Sequence, residues 1–315
     1  MIDSMTSMRA INQSRFGGPE VLTEVELPKP QAAPTEVLVA VRAAGVNPVD
    51  AKWRAGSAVF GEPPFVVGWD VSGVVEEVGV GVTTHRPGDE VFGMPLFPRP
   101  AGAYAEYVVA PSRQFVAKPA ALDHPHAAAL PLVGLTAWQS LVETADVREG
   151  QRVLVHAAAG GVGHVAVQIA KARGAHVIAT ASAAKHDFVR DLGADEVVDH
   201  TAVDFAEVVR DVDVAFDTVG GDIGVRSVPT VRDGGLVVTI LGNTQQDLER
   251  AAGDRVRAAA VLVEPDRLGL LALVDLVDRG LLRVELDSVL PLAEATKAHE
   301  LIESGRTRGK IVLTV

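Results

Sequence analysis

Cysteine occurs nowhere in the 315 positions of this chain. Its absence excludes disulfides, thiolate nucleophiles and every cysteine-ligated zinc centre, and it fits a reducing cytoplasm. Long apolar runs are missing too: no segment approaches the roughly 20 residues of a membrane span. Met1 to Met8 holds no basic stretch followed by an apolar one, so no secretory signal is expected, and the residues before Arg9 are expected to be disordered. Nor is there a run of Lys or Arg. With a formal net charge of -12 the surface repels phosphate backbones. Nucleic acid is therefore not an expected partner, and an anionic cofactor must be held by local donors. The histidines are scattered, and His124, His126, His156 and His164 show no metal-ligand pairing on one helix face. A cytoplasmic protein without metal or membrane anchor is expected.

What is present suffices for two domains. The chain is 48% hydrophobic and 22% charged, the composition of a globular protein with sizeable cores. Up to about residue 120 it is rich in β-branched residues, glycine and proline. Val37–Ala44, Val71–Val78 and Ala105–Val109 are strand candidates, and Pro87-Gly88-Asp89 has the residues of a tight turn feeding Glu90–Phe92. From about Asp123 apolar runs alternate with helical stretches. Val153–His156 precedes a helix from Gly163 to Arg173, and His176–Thr180 precedes a helix around Lys185–Leu192. Glu196–Val198, Val212–Asp217 and Leu236–Leu241 follow as further strands. Such alternation predicts a parallel sheet covered on both faces. The tail adds a helix over Asp266–Arg279, a strand over Leu282–Glu285, a helix near Leu292–Ser304 and a closing strand Lys310–Val315.

The segment Arg152 to Lys171, RVLVHAAAGGVGHVAVQIAK, places a glycine turn between a buried strand and a helix. Gly160 and Gly161 let the backbone approach a pyrophosphate, with Ala159 and Val162 beside them, and Gly163 lets the helix begin close to the sheet. The helix N-terminus then offers unpaired N–H groups to the phosphates. Ala158 stands where the pattern G-x-G-x-x-G has its first glycine, which weakens the match. The strand before, the helix after and the second strand at the right distance favour a cofactor over a merely structural turn. That second strand ends in Ala179-Thr-Ala-Ser-Ala-Ala-Lys185, without the acid that would bond the ribose 2′-OH of NAD. Ser182 can donate to a 2′-phosphate and Lys185 can pair with it, although Ser182 as a helix cap and Lys185 as a solvated first-turn residue are also compatible. NADPH is the expected cofactor.

Several blocks in order resemble a known family. They are Gly45-Val-Asn47-Pro-Val-Asp50, Phe65-Val-Val-Gly68-Trp69-Asp70-Val-Ser-Gly73, Pro87-Gly88-Asp89, Gly134-Leu-Thr136-Ala, the glycine turn, and Gly305-Arg-Thr-Arg-Gly309-Lys310-Ile-Val-Leu. Together they resemble the medium-chain dehydrogenase/reductases, and within them the zinc-independent quinone oxidoreductases related to zeta-crystallin, from about Arg9 to Val315. The resemblance implies an α/β chain in which a Rossmann doubly wound parallel sheet, residues 123–255, is inserted into a GroES-like β-rich domain made of residues 1–122 and 256–315. It implies an active site in the cleft between them. Positions that hold catalytic zinc in other branches are Asn47, Trp69 and Leu132 here, none a useful ligand. It further implies Asn47 and Thr136 near the nicotinamide, its ribose or its phosphates, Gly160 to Gly163 at the pyrophosphate, and Ser182 and Lys185 at the 2′-phosphate. His200 is implied at the adenine end, Leu241-Gly242 and the segment through Leu262 and Val263 at the nicotinamide face, and Lys310 among the cofactor contacts. A tyrosine that many relatives place near Gly56 is missing; Phe60 is the first aromatic there.

With neither zinc nor a candidate nucleophile, the chemistry expected is hydride transfer from NADPH to a small apolar electrophile, a quinone or an α,β-unsaturated carbonyl compound. No catalytic residue is assigned. Trp53, Phe60, Phe65, Trp69 and Phe97 are candidate walls for a flat substrate, with core packing the alternative for most of them. Asp50 and Asp70 are expected to be hydrogen-bonding or capping residues. Two other functions are open: an enoyl reductase acting on an acyl thioester, and an NADPH-binding protein without turnover. A homodimer is expected, joined where Leu236–Leu241 lies near the sheet edge; a monomer results if Asp247 to Val263 folds over that edge.

Overall fold

The computed structural model describes residues 7–56 and 61–315, so the candidate Phe60 lies outside the described residues. The chain divides into two compact units, one of Met1–Leu132, Glu264–Asp278 and Val284–Val315, the other of Val133–Val263 and Arg279–Arg283.

Apolar alternation with frequent turns makes the N-terminal stretch a set of short strands. These are β1 (Ser7–Gln13), β2 (Thr23–Pro28), β3 (Glu36–Val46), β4 (Phe65–Val66), β5 (Asp70–Val78), β6 (Glu90–Gly93), β7 (Tyr107–Pro111) and β8 (Phe115–Ala117), with helices α1 (Pro48–Arg54) and α2 (His124–Ala128). Ser7 and Met8, expected to be disordered, pair with Pro28 and Leu27. The middle of the chain is α3 (Pro131–Trp138), β9 (Arg152–Val155), α4 (Gly161–Ala172), β10 (His176–Ala181), α5 (His186–Asp191), β11 (Glu196–Asp199), α6 (Phe205–Val208), β12 (Val212–Asp217), α7 (Ile223–Ser227), β13 (Val231–Thr239), α8 (Gln245–Ala252) and β14 (Arg257–Ala260). The tail is α9 (Arg267–Asp278), β15 (Leu286–Pro291), α10 (Ala295–Glu303) and β16 (Lys310–Thr314). The expected strand at Leu282–Glu285 is not one; the strand begins at Leu286, where side chains start to alternate between half-buried and exposed.

In the first unit a seven-stranded sheet runs β15-β16-β3-β5-β6-β8, with β7 also on β3, beside a three-stranded sheet β2-β1-β4. The two ends of the chain meet in it: Ile311 pairs with Val46 and Leu313 with Ala44. In the second unit a six-stranded sheet has the order β11-β10-β9-β12-β13-β14, all neighbours parallel. Leu154, Ile178, Ala215 and Val237 from its central strands pack with Phe205, Leu248 and Ala252. Burial on both faces explains why these strands are continuous apolar runs. The strands at the two ends of this sheet are β11 and β14. Leu236–Thr239 falls on β13, which is paired on both sides; β14 comes from Asp247 to Val263, the segment expected to cover that edge in a monomer, and the sheet edge lies one strand further out. Among the described residues no helix is long and apolar enough to cross a membrane.

Candidate functional site

Because all six strands of the second unit are parallel, their carboxyl ends share one side of the sheet. The strand order reverses between β9 and β12, and the glycine turn leaves the end of β9 at that switch point, where ligands of open α/β sheets bind. The turn is tightly built. Gly160 N–H donates to Ala157 O at 2.9 Å, Ala158 N–H to Thr180 O at 3.0 Å, and Ala157, with φ of 46°, donates its N–H to Thr180 Oγ1 at 3.2 Å. A Cβ on Gly163 would stand 2.2 Å from Ala157 O and 2.7 Å from Ala158 Cα, so only glycine fits beneath the turn. At Gly160 the nearest atom to an added Cβ is Ala157 O at 3.2 Å. The steric demand therefore sits on the third glycine of the pattern, and the alanine at its first position is accommodated. No side chain caps α4, so its first N–H groups and dipole face outward from the turn. This is a cradle of the kind that holds a pyrophosphate.

Buried side chains hold the cradle from below. His156 is 2% exposed, with Nε2 at 2.9 Å from Ser227 Oγ and Nδ1 at 3.3 Å from Thr180 Oγ1. Ser227 donates its own proton to Ile223 O, so Nε2 carries the histidine proton and Nδ1 accepts. Burial, with help from the Arg226 charge, pushes the imidazole down to about 3, and it is neutral at physiological pH. Thr218 donates to His156 O at 2.8 Å. Asp217 accepts from the N–H groups of Val219 and Gly220 and from Thr239 Oγ1, shaping the loop after β12. The sequence yields no motif for this support.

The remaining candidates of this unit, Thr136 apart, follow the carboxyl ends of its strands. Ser182 follows β10, half-buried, at the start of the short turn Ala183–Lys185; Lys185 is half-buried, and no carboxylate lies between β10 and Asp187. His200 follows β11 and is exposed; Leu241 and Gly242 follow β13, half-buried and exposed. After β14, Leu262 is 61% exposed and Val263 is buried. Thr136 is buried in α3.

In the first unit the candidates turn inward instead. Pro48 opens α1 and Asn47 precedes it. Asp50 Oδ2 accepts from Asn47 N–H at 2.7 Å and from Tyr104 Oη at 3.0 Å. The Asn47 amide donates to Asp70 Oδ2 at 2.8 Å and its Oδ1 accepts from Lys310 Nζ; Asp70 Oδ1 accepts from Leu132 N–H at 2.8 Å. Asn47, Asp50, Asp70 and Lys310 are all buried. Burial pushes Asp50 up to about 7, with the Asn47 N–H acting against it, and raises Asp70 against the Lys310 charge. Asn47 and Lys310, expected at the cofactor, have their polar atoms engaged within this unit. Their neighbours include a chain that the sequence did not suggest: Arg54 Nη1 lies 3.1 Å from His299 Nδ1, His299 Nε2 lies 3.3 Å from Tyr104 Oη, and Arg54 Nη2 donates to Glu303 at 2.6 Å. The i,i+4 spacing of His299 and Glu303 on α10 was its one visible trace.

The expected aromatic walls are core. Trp53 and Trp69 are fully buried, Trp53 stacks on Phe65 with centroids 3.6 Å apart, and Trp69 meets Trp53 at 5.0 Å and Phe97 at 5.1 Å. Trp69 donates its indole N–H to Arg99 O at 2.7 Å. Neither tryptophan lines an open surface, because four rings at these distances fill their own space. Among the described residues no group of three His, Asp or Glu side chains could hold a metal ion. Asn47, Trp69 and Leu132 are each committed elsewhere, so these residues do not fit catalytic zinc.

Comparison with known proteins agrees with this architecture. Residues 33–120 match the alcohol dehydrogenase GroES-like domain family and residues 192–313 match a family described as zinc-binding dehydrogenase. A 2-haloacrylate reductase from Burkholderia sp is 36% identical over 323 residues, covering 94% of this chain and 96% of that protein. The solved structure of the quinone oxidoreductase from Coxiella burnetii superposes with a TM-score of 0.92 at 38% identity, covering 98% of this chain and 100% of that one. The Escherichia coli quinone oxidoreductase complexed with NADPH superposes with a TM-score of 0.88 at 29% identity, covering 98% of this chain and 100% of that one.

Proposed function

The chain belongs to the zinc-independent quinone oxidoreductases of the medium-chain dehydrogenase/reductases, and from that premise we propose that it binds NADPH on the second unit and reduces a quinone or another activated alkene. The observation that carries the proposal is the uncapped N-terminus of α4 beneath a turn into which no Cβ at Gly163 would fit. Gly160, Gly161, Val162 and Gly163 receive the pyrophosphate through backbone N–H groups. Ser182 and Lys185 receive the 2′-phosphate, where a carboxylate would repel it. When bound, NADPH supplies the hydride. A quinone or enone suits a site without zinc, because the oxyanion left by hydride addition is delocalised and takes its proton from water without a strong general acid.

Consumption of NADPH, followed at the nicotinamide absorbance with a panel of quinones and 2-enones, tests this reading. Saturable turnover is expected, with NADH bound about tenfold or more weakly for the loss of one phosphate contact. Binding without turnover on every acceptor, or equal affinity for NADH, would overturn it.

The same proposal includes a homodimer joined through β14. That strand has a strand partner only on the β13 side, and Val261 N–H points inward to Thr239 O at 2.8 Å. By alternation, the peptide groups of Ala258 and Ala260 point away from the sheet and are free to pair with a second copy. The expected mass in solution is twice 33.0 kDa. Ala258→Pro removes an outward donor without touching the inner ladder, and should halve the mass while leaving NADPH binding intact. A single-copy mass for the unsubstituted protein in light scattering would sink the dimer.

A further inference from the structure

Lys310 is an unusual lysine. It begins β16, is 1% exposed, and reaches across the sheet into the turn between β3 and α1. Its Nζ donates to Val46 O at 2.8 Å and to Asn47 Oδ1, and it lies 3.6 Å from Asp70 Oδ2. Three oxygens from three different groups thus surround one ammonium. Each oxygen is held independently of the lysine: Val46 by the strand, Asn47 by its bond to Asp70 and by Asp50 at its N–H, and Asp70 by Leu132 N–H. Room for Asp70 exists because Gly45 has no side chain; a Cβ there would meet Asp70 Oδ2 at 2.9 Å and Ala128 O at 2.5 Å. A rigid set of oxygens with one carboxylate, away from water, has the chemistry of a cation site.

We propose that Val46 O, Asn47 Oδ1 and Asp70 Oδ2 form a cation site specific for a primary ammonium, which the Lys310 side chain fills from within the chain. The Lys310 charge balances Asp70, and its hydrogen bonds fix the Asn47 amide and with it the first turn of α1. The site is independent of the reading of the second unit as a nucleotide domain, since every group in it belongs to the first.

A Lys310→Ala variant removes three methylenes and the ammonium, which n-propylammonium replaces atom for atom. The variant is expected to melt on the order of 10 °C below the unsubstituted protein. n-Propylammonium chloride should restore part of that loss saturably. Three probes should not: 1-propanol, which has the same shape without the charge; tetramethylammonium, which has the charge without N–H donors; and sodium chloride at equal ionic strength. Should Lys310→Ala fail to fold in cells, refolding from urea asks the same question, and n-propylammonium should raise the yield where propanol does not. Equal rescue by propanol and propylammonium, no rescue of a folded variant, or a Lys310→Met variant as stable as the unsubstituted protein would overturn the proposal.

Discussion

A Gly163→Val variant is expected to bind NADPH about a hundredfold more weakly than the unsubstituted protein, equivalent to about 2.7 kcal/mol. A Cβ at this position falls 2.2 Å from Ala157 O and 2.7 Å from Ala158 Cα, both backbone atoms that cannot rotate away. The helix must lift or the turn must open. Either movement disturbs the bond from Gly160 N–H to Ala157 O and redirects the first N–H groups of α4. Valine adds two methyl groups to that conflict and is a poor residue in the first turn of a helix packed on a strand. Gly160→Ala, whose Cβ would meet only Ala157 O at 3.2 Å, leaves the turn itself intact but puts a methyl group where the pyrophosphate approaches, so it should weaken binding without lowering stability. Fluorescence titration measures the affinity, and circular dichroism with a melting curve establishes that each variant is folded. A folded Gly163→Val protein that binds NADPH as well as the unsubstituted protein does would show that the turn has no part in holding phosphate.

Acid should open the second unit before the first. His156 is held neutral with its pKa pushed down to about 3, against about 6.5 in an unfolded chain. The unfolded state therefore binds one more proton than the native state between those values, and stability falls as pH falls through that window. Going from pH 6.5 to 4.5 costs about 2.3 kcal/mol for this one residue, about fiftyfold in the opening equilibrium. Among the shifted groups of this unit none opposes it; Asp146, Asp195 and Asp199 are lowered by their hydrogen bonds and lose stability at still lower pH, in the same direction. The first unit has shifts of both signs in this window. His299, pushed down to about 3 by burial, and His124, lowered by burial, are countered by Asp50, raised to about 7, and Asp70, raised by burial. A carboxyl with a raised native pKa holds its proton while the unfolded chain has lost it, so it gives stability at low pH that disappears as pH rises. Hydrogen exchange, corrected for the intrinsic rate, should show protection in β9, β10 and β12 falling between pH 6.5 and 4.5 while protection in β3 and β5 holds. His156→Gln, which can still bond Ser227, should flatten the change in the second unit. Parallel loss of protection in both units would contradict this account.

Much of the architecture was legible in advance because its causes are local. An apolar strand, a glycine turn and an amphipathic helix follow one another within Arg152 to Lys171, and each needs only its own neighbours to form. Val212–Asp217 agrees to the residue with β12, whose apolar centre Val214-Ala215-Phe216 is buried on both faces. Where the pattern was half-exposed it misled. Leu282–Glu285 looks like a short strand, yet the ladder to β16 starts at Leu286, and that register is decided by a partner far along the chain.

The candidate site divides the same way. Residues of the second unit fall along one sheet edge because strand ends can be counted from the sequence once the sheet is known to be parallel. Asn47 and Lys310 were expected at the cofactor; that they also face each other across 263 positions of chain was not legible, because nothing in either local segment says that β16 will lie beside β3. The direction of Trp53 and Trp69 was equally undetermined, since alternation along a strand or helix says that a side chain changes face without saying what waits on that face. The sequence alone determined which apolar runs form the buried parallel strands, where the glycine turn lies and that no thiolate can serve as a ligand. Only tertiary structure decided which strand is left at the edge and which polar side chains close on one another, because both depend on which distant segments become neighbours, and a buried donor bonds whatever acceptor the fold brings to it.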